Sequence, residues 1–187
     1  QAMLNLYPGV LMAMGPATDE GYYFDFDSNK RFSKEDFEKI ESEMKKIIKA
    51  DLPIVRKELS VKEVRKLFKG NKYKQEWLDE IEQNKEKATI YYTGEEFADL
   101  CAGPHVRSTS QVGYVKLLSI ASAYWRGNSE NEQLQRIYGT AFQDKKELKK
   151  HLNLLEEAKK RDHRKIGREL DIFEIDEDIG PGLVIWL

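Results

Sequence analysis

One cysteine and one histidine stand four residues apart in the run Asp99-Leu100-Cys101-Ala102-Gly103-Pro104-His105-Val106. It is the only place where the single cysteine of the chain meets one of its three histidines. The Gly103-Pro104 step forces the backbone to turn, so the two side chains can face one another. A thiol and an imidazole so placed can grip a metal, hold a water, or bracket a polar substrate. A closed zinc site needs three or four ligands, and His151 and His163 lie elsewhere in a highly charged stretch. Cys101 and His105 therefore supply two possible ligands only. A Cys-His nucleophile is open to the pair, although C-x-x-x-H spacing is not by itself a catalytic signature. The plain alternative is a buried cysteine beside a histidine that caps a turn. Asp99 could orient an imidazole or a ligand, or simply cap the turn. Lys74 is, on composition, one lysine among many.

Two arginines, Arg126 and Arg136, stand among Tyr124, Trp125 and Tyr138, a setting that suits nucleotide stacking and phosphate contact. A solvated hairpin tip above an aromatic core explains them equally well. Lys159, Lys160, Arg161, Arg164, Lys165 and Arg168 form a denser basic run, but Glu156, Glu157, Asp162 and Glu169 dilute it. The net charge of −2 leaves any nucleic-acid contact to local patches. Hydrophobic residues at 40% and charged residues at 34% fit a globular protein with a heavily charged surface. A lone cysteine excludes an internal disulfide and fits a reducing compartment. The longest apolar run, Val115 to Trp125, falls short of the roughly 20 residues of a membrane helix. The expectation is a cytoplasmic protein without a membrane partner.

The elements that must position these groups are legible as an α+β chain, mostly antiparallel sheet with packed helices. Gln1 to Leu6 reads as the last turns of a helix, closed by Pro8-Gly9. Leu11–Met14 and Tyr22–Asp27 read as strands, with Gly15-Pro16 and Thr18–Gly21 forming the turn between them. Ser33 is placed to cap a helix carrying Phe37, Ile40, Met44, Ile47 and Ile48 at helical spacing. Pro53 stops that helix, and a strand follows over Ile54–Leu59. Ser60-x-x-Glu63 is a capping box for a helix that Gly70 closes. Trp77, Leu78 and Ile81 mark another helix, and Thr89–Thr93 a strand. Val115–Trp125 and Leu134–Phe142 read as a strand pair around a polar loop. Asp144-x-x-Glu147 opens a long helix with Leu148, Leu152 and Leu155 as its buried stripe, predicted to run to Leu170. Asp171–Ile175 begins a strand, and Gly180-Pro181-Gly182 turns the chain into Leu183–Leu187.

Several of these runs, taken together and in order, resemble bacterial-type threonyl-tRNA synthetases. They are Met14-Gly15-Pro16, Gly21-Tyr22-Tyr23-Phe24-Asp25, Asp99 to Val106, Lys116 to Ser119, Ala123 to Gly127 and Leu134 to Phe142. The stretch from Arg161 to Asp171, with Gly180-Pro181-Gly182, resembles the lead-in to that family's class II catalytic domain. Alanyl-tRNA synthetase editing domains carry a similar cluster, but with a Cys-Gly-Gly-Thr-His type of run. The resemblance implies an editing domain over 1–143, a linker helix over 144–170 and the start of a catalytic domain over 171–187.

The implied chemistry is proofreading. Serine lacks one methyl group of threonine, a difference worth only ~1–3 kcal/mol, or roughly 10–200-fold, so a second site must hydrolyse seryl-tRNA(Thr). Carried over to this sequence, the catalytic residues would be Cys101, His105, Lys74 and Asp99. Tyr23, Phe24, Gly15, Gly103 and Pro104 would lie on the substrate side, and Arg126 and Arg136 would meet the acceptor end of tRNA(Thr). Zinc could sit at Cys101 and His105. ATP, a further zinc and a homodimer interface would belong to the catalytic domain of the parent ligase, expected beyond Leu187. The family's H-x-x-x-H pair aligns just ahead of Gln1, so the chain alone is expected to be weak or inactive. Rival readings are a free-standing trans-editing deacylase, a noncatalytic tRNA-acceptor-binding module, and a small metal-binding regulator.

Overall fold

Alternation of apolar and polar side chains makes half-buried strands, and among the described residues the strands form three separate antiparallel sheets, one of them a two-stranded pair. The computed structural model describes residues 1–175 and 183–186. They fall into two compact units, Gln1–Gln143 and Asp144–Leu187. The turn expected at Gly180-Pro181-Gly182, and Leu187, lie outside the described residues.

In the first unit the main sheet combines β1 (Leu11–Met12), β2 (Ala17–Thr18), β3 (Gly21–Asp27), β7 (Tyr114–Tyr124) and β8 (Gln133–Phe142). Its order is β1-β3-β8-β7, with β2 also paired to β3. Gly15-Pro16 does not form the turn expected of it. The chain stays beside β3 through Met14, whose carbonyl accepts the Asp25 N–H, and resumes as β2, so the reversal is the tight Asp19-Glu20 step. Gly15 is used for close approach instead: a Cβ there would collide with the Phe24 ring.

One face of this sheet packs on α1 (Ala2–Leu6) and α2 (Phe37–Lys49) through Met3, Met12, Phe26, Phe37, Ile40, Leu117 and Ile137. Ser33 and Asp36 form a reciprocal cap at the entry to α2. The helix also presents Glu41, buried at 6% exposure, to a bulge in β7 between Leu117 and Ser119. A bulge interrupts the ladder locally. Glu41 accepts the Leu117 N–H at 3.0 Å and pairs with Lys116 Nζ at 2.9 Å.

The second sheet has the order β4-β5-β6, from β4 (Ile54–Leu59), β5 (Ala88–Thr93) and β6 (Phe97–Leu100). Here β6 is a strand that spacing alone did not announce. Its one face closes on α3 (Val61–Leu67) and α4 (Lys72–Gln83), where Val64, Leu78, Ala88 and Ile90 have no exposed surface. The Ser60 capping box opens α3, and Asn71 caps α4.

The second unit departs from the single helix expected to reach Leu170. It has α5 (Lys145–Lys160) and α6 (His163–Glu169), with Arg161 and Asp162 between them. Asp162 competes with the helix for backbone donors: its carboxylate accepts the Arg164 N–H and starts a new helix. Leu148 is buried, whereas Leu152 and Leu155 are half-buried. The unit continues as β9 (Phe173–Ile175), paired antiparallel with β10 (Val184–Trp186). No helix among the described residues is long and apolar enough to cross a membrane.

Glu41→Ala strands a buried backbone donor and should cost about 1–3 kcal/mol, whereas Glu41→Gln keeps an acceptor and should cost less than half as much. Urea unfolding of the two variants checks this, and equal losses would refute it.

Candidate active site

The pairing of β5 with β6 sets the site. Tyr91 lies opposite Asp99, and the Cys101 N–H continues the ladder to the Thr89 carbonyl. Directly opposed residues, and those two apart, share a face. Tyr91, Asp99 and Cys101 therefore leave the sheet on the same side, away from the core formed by Ile90 and Leu100. Beyond Cys101 the chain bends through Gly103, at φ +83°, and the Gly103–Pro104 peptide is cis. Glycine is required there twice over, since a Cβ would both strain the backbone and collide with the Tyr91 hydroxyl.

The bend returns His105 over Tyr91. The two rings stack with centroids 4.1 Å apart and planes at 27°. His105 Nε2 then lies 3.2 Å from Cys101 Sγ, which also accepts the Gly103 N–H at 3.3 Å. The thiol can donate to a bare Nε2, or an Nε2–H can donate to sulfur. One edge of the imidazole stays open to solvent while a face is covered. That partial desolvation lowers the pKa of His105, and the charge of Asp99 opposes the shift. The ring is therefore neutral at neutral pH.

A charged pair lies behind the thiol and imidazole. Lys74 Nζ meets Asp99 Oδ1 at 2.6 Å, and Lys74 as a residue is only 2% exposed. Asp99 also accepts the Leu100 N–H at 2.8 Å. Lys74 stands in the first turn of α4, where Asn71 Oδ1 accepts its N–H while Asn71 Nδ2 donates to the Met12 carbonyl. Thus the cap of α4 also ties that helix to β1. Tyr73 is anchored alongside, its hydroxyl donating to Asp27 at 2.7 Å, and burial with this carboxylate raises its pKa.

Cys101, His105, Asp99 and Lys74 are brought into one neighbourhood, with Gly103 and Pro104 as the bend between thiol and imidazole. The other expected positions go elsewhere. Tyr23 and Phe24 are successive strand residues and face opposite ways, so they do not wall one pocket. Tyr23 lies under the Arg136 guanidinium, 3.9 Å from its carbon, and beside Tyr138. Phe24 stacks on Phe26 and, with Gly15 against it, belongs to the core side. There it lines an apolar cavity of about 240 Å³ that neither Cys101 nor His105 touches.

Neither arginine is a free cation. Arg136 makes a bidentate pair with the buried Asp25 at 2.7 and 2.8 Å, which raises the arginine's pKa. Arg126 pairs with Glu80 and Glu76 and lies over Trp77 and Trp125. A phosphate would have to displace these carboxylates. As for metal, no group of three or more His, Cys, Asp or Glu side chains among the described residues could hold an ion. The thiol and imidazole alone fall short of a zinc ligand set, and no step here runs through a metal. Two residues of the site escaped the sequence reading. Tyr91 is hidden among strand aromatics, and the Asn71 cap is signalled only by its position three residues before Lys74.

The family described as threonyl and alanyl tRNA synthetase second additional domain matches residues 88–138, the stretch that holds β5, β6, Cys101 and His105. The whole chain is also similar to proteins named threonine–tRNA ligase. It is 49% identical over 188 aligned residues to that of Streptococcus thermophilus, and 48% identical to those of Streptococcus gordonii and Streptococcus sanguinis. In each case all of this chain aligns, with 29% of the relative's length. The resemblance to threonyl-tRNA synthetases thus extends from end to end of the chain.

Breaking a buried ion pair leaves one uncompensated charge, so Lys74→Met or Asp99→Leu alone should cost about 3–5 kcal/mol. The double variant should cost clearly less than the sum, because the second change removes the orphan. Additive losses in a double-mutant cycle would show the two groups to be uncoupled.

Proposed function

We propose that this chain is part of a threonine–tRNA ligase and that the Cys101–His105 site hydrolyses seryl-tRNA(Thr). The observation that carries the reading is a thiol–imidazole contact of 3.2 Å beside a buried ammonium–carboxylate pair. The matched domain family and the whole-chain similarity point the same way. The ligation of threonine with ATP, and any pairing into a homodimer, would belong to the longer protein.

In this reading the aminoacyl ester of the terminal adenosine enters at the open edge of His105. Water held by the neutral imidazole and the thiol attacks the ester carbonyl carbon. The bond to the ribose oxygen breaks, that oxygen takes up one of the water's two protons, the other passes to solvent, and serine leaves with its carboxylate formed. Lys74 holds and neutralises Asp99 behind the site, so that this carboxylate does not oppose the developing oxyanion. The ribose hydroxyl of the substrate is available to share in proton transfer, so the general base is not assigned to one side chain. Threonine would be spared because its extra methyl needs room that serine does not, a second sieve after a pocket that cannot reject the smaller amino acid.

The backbone nitrogen of Gln1 is buried within reach of the charge of Asp99, so α1 opens beside this cluster. A helical turn joined to Gln1 would deliver the H-x-x-x-H pair of the resemblance to the same place. Binding without turnover is the weaker alternative, because Arg126 and Arg136 are both engaged by carboxylates.

The test is deacylation of seryl- and threonyl-tRNA(Thr) by this chain and by a version extended upstream through the two histidines. The extended protein should clear the seryl ester and spare the threonyl ester, with this chain slower by on the order of 10²-fold or more. Failure of the extended protein to separate the two esters would refute the reading. His105→Ala in the extended form should remove at least about 100-fold of the rate with the fold intact. Because the pKa of His105 is lowered, its neutral form persists below the usual value of about 6.5. The rate should therefore stay level through neutral pH and fall only in more acid solution. A loss beginning above pH 7 would show that another group controls it.

A further inference from the structure

His105 belongs to a bend rather than to a strand or helix, and an imidazole on a bend has several rotamers to lose before it can hold a reactant. What it rests on is Tyr91. That ring is itself only 9% exposed, and it comes from β5, the central strand of its sheet, opposite Asp99. Its face lies 4.1 Å from the imidazole, at 27°. Its hydroxyl end lies beneath Gly103, in the space that a Cβ would need. One rigid side chain thus touches both halves of the bend: the ring that reaches back to sulfur and the glycine whose N–H reaches the same sulfur.

We infer that Tyr91 is the positioning residue of this site, its ring face fixing the His105 imidazole against Cys101 and so setting the one arrangement in which thiol and imidazole act together. The page-like stack also covers one side of the imidazole from water, which agrees with the direction of its pKa shift. Tyr91 and Cys101 face the ring directly, and Asp99 acts on it through its charge. Tyr91 need not touch substrate: it works through His105. As a statement about catalysis this rests on the hydrolase reading above, but as a statement about ring placement it does not.

The experiment therefore has two readouts. Proton NMR of this chain follows the His105 ring protons, identified by their loss in His105→Gln, through a pH titration. In the wild type they should be displaced upfield by the ring current of Tyr91 and titrate below about 6.5. Tyr91→Phe keeps the ring and should preserve both features. Tyr91→Thr, a good strand former without a ring, should abolish the displacement and raise the midpoint. In the upstream-extended protein, Tyr91→Thr should lower kcat for seryl-tRNA(Thr) hydrolysis on the order of 10–100-fold, chiefly through geometry rather than KM, with Tyr91→Phe restoring it.

An undisplaced His105 in the wild type, an unchanged spectrum in Tyr91→Thr, or a loss of both features in Tyr91→Phe would overturn the inference. If Tyr91→Thr does not fold, the wild-type displacement and its retention in Tyr91→Phe decide the matter. A stacked imidazole in an extended protein that hydrolyses neither ester would sink the hydrolase reading and leave the placement of His105 standing.

Discussion

The contact between Lys74 and Asp99 fixes, by charge, the alignment of two pieces of backbone that otherwise meet only through apolar packing. Lys74 comes from the first turn of α4 and Asp99 from the middle of a four-residue strand. An ammonium almost wholly removed from water is tolerable only with a carboxylate in hand, so the register of β6 and the start of α4 must agree. Once they do, much else follows. The register that presents Asp99 presents Tyr91 beside it and Cys101 two residues on, and the bend after Cys101 has one supported way to come back.

This dependence explains what could be read from the chain. Ser60 and Glu63 announce a helix because the capping box is a local device, complete within four residues. The β7 and β8 strands announce themselves by long runs of β-branched and aromatic side chains. Cys101 and His105 stand out because their types are rare here and the Gly-Pro step between them is a turn. The partners of these groups are less visible. Lys74 and Asp99 are 25 positions apart in sequence, and nothing local marks that lysine as buried rather than wet. Strand β6 is short and opens immediately after a glycine turn, so its pairing is settled by β5 rather than by its own composition. The aromatic settings of Arg126 and Arg136 were visible, but not the acidic residues that occupy them, which arrive from α4 and β3. In the second unit, the helical periodicity continued through Asp162 while its side chain ended one helix and began another.

The functional reading gains from the agreement of independent kinds of support. The similarity to threonine–tRNA ligases runs the length of the chain, the matched domain family covers the strands that lead to the thiol and imidazole, and the geometry brings Lys74 to three groups of one short run, Asp99, Cys101 and His105. Geometry also narrows the chemistry. A thiol 3.2 Å from an imidazole, with a charged pair beside them, is a polar site of the kind that can hold a water. The divergence of Tyr23 and Phe24 places only one of them toward the polar face of the main sheet, where it helps to hold Arg136 rather than lining a common recess.

The tip of the β7–β8 hairpin deserves its own consequence. Trp125 meets Tyr73 edge-on and donates its indole N–H to Glu76, while Glu132 pairs with Lys72. These three anchors on α4 bracket Lys74 on both sides in sequence. A loop that looks like surface decoration is thereby a splint for a distant ammonium group. Lengthening or shortening it would tilt the helix and be felt at Lys74 and, through Asp99, beside the Cys101–His105 pair.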